Sequence, residues 1–284
     1  MQYHEIISKI RINKNIKVAD LLNDNMSRSS YNRYVSGKTD IYSYHFLGLL
    51  DQLHISTSEL SVIANNYNPS KLDTFLQNTR SALKNKNYEE LYSLYHHAIP
   101  LAKKNQNDFY THISEIIYLA LKTSNYQISC NVTCTHVYRY LLKSFIWTTY
   151  EFNLFNLILP FLTESEVKPF LPKIEYSLSK EGYSKYYMKQ YFNLICDIIF
   201  YFIQHQNYVN ASHYLTLLEN YDLTENLVYE KLLLTFFTNL KKLLLHQPAN
   251  TWRRPLTKCI ATAKFLDMPS LAEKFEQTIL QITN

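Results

Sequence analysis

Apolar residues recur at i, i+3 and i+4 along almost the whole chain, while the strict alternation of a half-buried strand is scarce. That period predicts helices. Tyr3, Ile6, Ile7 and Ile10 share one stripe, so a first helix is expected over Tyr3–Asn13. Val18, Leu21 and Leu22, then Tyr31, Tyr34 and Val35, mark two short helices, with Asp24 and Asn25 supplying the turn between them. Ser27 is placed to cap the second of these, and Met26 and Tyr31 are spaced as a hydrophobic staple. Phe46, Leu47, Leu50 and Leu53 give a fourth helix, Ser43–Leu53. A fifth starts after Ser56, which forms a capping-box pattern with Glu59 while Ile55 and Leu60 form a staple.

The Asn-rich stretch Asn65–Ser70 then breaks the pattern, because Pro69 disfavours helix at Asn68. It is the expected linker between a domain over residues 1–66 and a second over 67–284. The second reads as helical hairpins: 71–84 with 88–104, 107–122 with 132–147, 149–162 with 164–179, 185–204 with 208–220 and 225–245 with 250–265, closed by 269–282. Thr163 and Glu166 repeat the capping box. Most units run near forty residues, the period of tetratricopeptide-like arrays. The fold class is therefore all-α, with a small helical head followed by a helical-repeat domain.

Composition narrows the chemistry. Three glycines in 284 residues leave no GxGxxG, P-loop or GxSxG turn, so phosphate-cradling α/β enzymes are unsupported. No nucleophile–base–acid set stands out, and no enzyme activity or cofactor is implied. Cys130, Cys134 and His136 are close in sequence but lack a fourth ligand, so buried thiols explain the cysteines better than a metal. Four cysteines fit a reducing cytoplasm. Met1–Ile16 is polar and periodic, unlike a signal peptide, and the apolar run Leu154–Leu162 is too short to cross a bilayer.

Net charge is only +5, and residues 1–66 are nearly balanced. What matters is placement. Burying Tyr31, Tyr34 and Val35 turns Ser29, Asn32, Arg33 and Ser36 outward, and the helix and its flanks carry Arg28, Arg33 and Lys38 with no acidic residue. A short, polar, acid-free helix suits the major groove of duplex DNA. Ser29, Ser30, Asn32 and Arg33 are the expected base contacts, and Arg11, Lys14, Arg28 and Lys38 the expected phosphate contacts.

The stretch Ser27–Lys38 (SRSSYNRYVSGK), with Ile41, Leu47, Leu49, Leu50, Asp51, Leu53, Ile55, Glu59 and Leu60 after it, resembles the Rgg (Rgg/GadR/MutR) family of bacterial transcriptional regulators. That family usually reads SKSxxSRFERGE here. Ser27, Ser29, Arg33 and Gly37 match, whereas Val35, Ser36 and Lys38 depart. A second resemblance covers Trp147, Tyr150, Glu151, Leu154 and Phe155, where the family continues with Gly-Asn and this chain with Asn156-Leu157.

The resemblance implies a lambda-repressor-like helix-turn-helix head, homodimers on double-stranded operator DNA, and a repeat domain that binds a short hydrophobic signalling peptide for quorum sensing. An extended peptide needs aromatic walls and side-chain amides to bond its backbone. Tyr118, Asn153, Asn156, Tyr191, Asn193, Asp197, Tyr229 and Asn239, on the first helices of the hairpins, are the expected contacts. The alternative is a helical-repeat protein that inhibits a protein partner under peptide control without binding DNA, like the Rap-type inhibitors. The acid-free Ser27–Lys38 helix argues against it.

Overall fold

The computed structural model describes residues 2–22, 26–105, 108–124, 126, 135–178 and 188–283. It divides into two compact units, Met1–Ser81 and Ala82–Asn284. The division falls inside the helix Lys71–Lys84, so the Asn65–Ser70 stretch, expected as the linker, lies within the first unit.

In the head, α1 (Tyr3–Asn13), α2 (Val18–Leu21), α3 (Arg28–Val35), α4 (Ser43–Gln52) and α5 (Thr57–Ala64) surround one core. Ile6, Ile7, Leu21, Met26, Tyr31, Tyr34, Leu49, Leu50, Leu53 and Leu60 form it. The local signals act as expected. Ser27 Oγ accepts the Ser30 N–H at 3.1 Å, and both Met26 and Tyr31 are buried. Ser56 and Glu59 form the full capping box. Asp24 and Asn25 lie outside the described residues. α3 ends at Gly37, whose φ of +70° lets the Lys38 N–H return to the Arg33 carbonyl at 2.9 Å. A Cβ there would also crowd His4 Nε2 at 3.1 Å, so both the backbone and the neighbour favour glycine.

Beyond the linker, α6 (Lys71–Lys84) and α7 (Tyr88–Asn105) follow, then α8 (Asp108–Thr123), α9 (His136–Lys143) and α10 (Thr149–Ile158). After them come α11 (Glu164–Val167), α12 (Leu171–Leu178), α13 (Met188–Gln204) and α14 (Tyr208–Glu219). The chain ends with α15 (Val228–Leu244), α16 (Ala249–Phe265) and α17 (Pro269–Thr283). Of the expected hairpins, α8 packs on α9, α13 on α14 and α15 on α16, while α7 packs on α8, across two expected hairpins.

Two expected helices are broken. Leu159–Phe161 and Lys168–Phe170 are 3-10 turns with Pro160 and Pro169 near their starts, where a missing N–H does least harm.

The second unit is organised around α13, whose Tyr191, Phe192, Ile195, Ile198, Ile199 and Phe202 are buried. It packs on α10, α14 and α15, and α17 folds back onto α13 and α15. Phe275 of α17 stacks on Phe236 of α15 with ring centroids 3.7 Å apart. Among the described residues no helix is long and apolar enough to cross a membrane.

Candidate functional site

Burying Tyr31 and Tyr34 orients α3. Burial raises both phenols, Tyr34 to about 12, so neither ionises near neutrality. The opposite face is open. Arg28, Ser29, Asn32, Arg33, Ser36 and Lys38 are exposed and line one shallow depression. Five expected DNA contacts come together there, and Ser36 joins them. Its Oγ donates to the Arg33 carbonyl at 3.0 Å and extends the polar rim, on the face the helical period turns outward.

The other three sit elsewhere. Ser30 is exposed but turns to the cap, its Oγ 3.0 Å from Ser27 Oγ. Arg11 is half-buried and donates to the Ile16 carbonyl at 2.8 Å, closing the turn after α1. Lys14 donates to the Leu53 carbonyl, with the His54 carbonyl at 3.5 Å, so its ammonium caps the C-terminus of α4. Arg11 and Lys14 thus hold the head together, where phosphate contacts were expected.

In the second unit the expected peptide contacts separate into two groups. Asn156 Nδ2 donates to Asp197 Oδ2 at 2.6 Å, and Lys274 Nζ reaches Asp197 Oδ1 at 3.3 Å. The same ammonium lies 3.8 Å from the Phe200 ring centroid, at cation–π distance. These contacts tie α10, α13 and α17 together. Tyr229 belongs with them: burial, then the Asp197 charge, pushes its phenol up to about 12, although 40% of the residue is exposed. Asn153 and Asn193 are half-buried on the same helices.

Three candidates are packed into the interior instead. Tyr191 is fully buried against Phe152, with centroids 4.5 Å apart. Tyr118 is buried beside Tyr95. Asn239 is buried, donating to the Thr235 carbonyl at 2.8 Å and accepting from Lys242 Nζ at 3.0 Å. Lys274, Phe200 and Glu230 are the residues sequence reasoning missed. No local signal marks them, since Lys274 is 77 positions from Asp197.

Of the metal candidates, Cys130 and Cys134 lie outside the described residues. His136 Nδ1 contacts Glu115 Oε1 at 2.6 Å.

The fold thus joins a helix-turn-helix head to a tetratricopeptide-like array, the architecture of a two-part transcriptional regulator. The family model for the C-terminal domain of the HTH-type transcriptional regulator Rgg matches residues 96–277. The chain belongs to the Rgg family.

Solved structures agree on the fold. A Listeria monocytogenes EGD-e protein assigned as a transcriptional regulator superposes with TM-score 0.80 at 18% identity, covering 99% of this chain and 96% of that one. The Streptococcus dysgalactiae SHP pheromone receptor Rgg2 gives TM-score 0.72 at 17% identity, covering 97% and 98%. A bacterial peptide pheromone/receptor complex gives 0.66 at 12%, covering 99% and 98%. Among curated proteins none matches the chain.

Proposed function

We propose that this protein is a cytoplasmic, homodimeric transcription regulator, not an enzyme, that binds operator DNA through residues 1–66. Residues 67–284 dimerise and bind a short hydrophobic signalling peptide that controls that activity. The observation that carries this reading is the exposed, acid-free face of α3, where Arg28, Ser29, Asn32, Arg33, Ser36 and Lys38 share one open depression. Arg33 and Asn32 have the chemistry to read guanine and adenine, while Arg28 and Lys38 flank them at phosphate positions. Two heads in a dimer match two half-sites.

Peptide control is supported by the contacts of Asn156, Asp197 and Lys274. They join three helices of the array through exchangeable polar bonds that a peptide backbone can replace. Such a ligand shifts DNA activity by the difference in its affinity for two arrangements of the array. The similarity to pheromone receptors supports the same reading.

The test is fluorescence anisotropy of the purified chain on a duplex from upstream of its own gene and on a scrambled duplex, at several salt concentrations. Binding that weakens steeply with salt yet keeps its preference for the upstream duplex is the expected result. Failure to bind either duplex at low salt would leave the partner-protein alternative standing.

A further inference from the structure

We propose that the peptide-binding face carries a receptor for a positively charged ligand group, the carboxylate of Glu230. This rests on the reading of that face as a peptide site. Glu230 lies in the first turn of α15, and only 2% of its side chain is exposed. Its Oε1 is buried and has no hydrogen-bond partner among the described residues. Lys189 of α13 places its Nζ 3.4 Å away. Charge-assisted N–H···O bonds close to roughly 2.7–2.9 Å, so this contact is attraction without a bond. Lys189 is itself 64% exposed, and a solvated lysine holds such a pair weakly.

A buried carboxylate oxygen with no donor is unusual, because burial removes its water without replacing it. The neighbouring carboxylate differs. Asp197 is answered by Asn156 and by Lys274. The two acids stand on helices that pack together, α13 and α15. One carboxylate is satisfied and the other is not.

Because the ammonium of an exposed lysine already reaches Glu230, a ligand ammonium or guanidinium can approach along the same path and displace Lys189. Its N–H groups would supply the missing bonds. The chemistry fits a free peptide amino terminus or a Lys or Arg side chain of the peptide.

Retention of synthetic octapeptide libraries on the immobilised full chain, read by mass spectrometry, tests this. The first library has free amino termini and no Lys, Arg or His. The second is the same but N-acetylated, and the third is N-acetylated with one Lys or Arg. The wild type should retain peptides from the first or third library at least tenfold better than from the second, and whichever is retained identifies the source of the cation. Glu230→Gln, checked for folding by thermal unfolding, should lose that preference. Lys189→Ala, a change at an exposed position, should raise retention of the cationic peptides several-fold by removing the competitor. Equal retention of all three libraries, an unchanged preference in Glu230→Gln, or lower or unaltered retention in Lys189→Ala would overturn the proposal and leave peptide binding intact. Retention of no library by the wild type would overturn the peptide reading as well.

Discussion

Glu115, in the middle of α8, accepts the backbone N–H of Val137 at 2.9 Å, in the first turn of α9. The same carboxylate takes the His136 N–H at 3.3 Å, yet its side chain is only 3% exposed. Thr135, at the N-cap position, makes no side-chain capping bond. The acid that caps α9 therefore comes from a neighbouring helix. Glu115→Ala should destabilise the protein by about 2–3 kcal/mol, the sum expected for a lost cap and buried donors left unmet. Glu115→Gln, which keeps an acceptor oxygen, should cost about 1 kcal/mol. Chemical unfolding of the two variants checks the order, and equal losses would contradict the capping role.

His112 stands one turn before Glu115 and is 3% exposed, its Nδ1 2.9 Å from the Tyr150 hydroxyl. Burial lowers its pKa below the usual 6.5, against the charges of Asp108, Glu115 and Glu151, which act to raise it. The unfolded chain therefore binds a proton at His112 more readily than the folded one. Its contribution to stability is full above about pH 6.5 and is lost as pH falls from there toward the folded pKa. Between pH 7.5 and 5 the wild type should lose stability relative to His112→Gln, as thermal unfolding would show. Parallel pH profiles would contradict it. Glu151, whose hydrogen bonds from Tyr140 and Thr148 outweigh burial and lower its pKa, affects stability only at more acidic pH.

Four hairpin turns in the array use a residue other than glycine at positive φ: Lys86 (52°), Gln206 (57°), His246 (52°) and Asp267 (54°). Each lies second after a helix end. The N–H of the next residue returns to the carbonyl five positions earlier, as from Asn207 to Phe202 at 2.8 Å. A side chain in this conformation carries strain that glycine lacks. Gln206→Gly should stabilise the protein by about 0.5–1 kcal/mol after the entropy of glycine is counted, and Gln206→Val should destabilise it. A loss of melting temperature in Gln206→Gly would contradict the turn assignment.

What the sequence makes legible follows the range of the interaction. The caps at Ser27, Ser56 and Thr163 are readable because donor and acceptor stand three residues apart. Helix positions are readable because burial imposes its period. The roles of Lys14 and Lys274 are not, because their partners lie 39 and 77 positions away. Tyr191 and Asn239 belong to helices buried on several sides, where no single polar stripe says which residue faces outward. The turns at Lys86 and Gln206 carry no glycine to announce them.

The account depends on α3 reading bases, and Arg33→Ala tests that most directly. Arg33 is exposed in the α3 depression. A bidentate arginine–guanine pair is worth about 1–3 kcal/mol of discrimination, so the affinity ratio of upstream to scrambled duplex at fixed salt should fall about 5–150-fold in the variant. The same ratio in wild type and variant, or equal losses on both duplexes, would contradict the account.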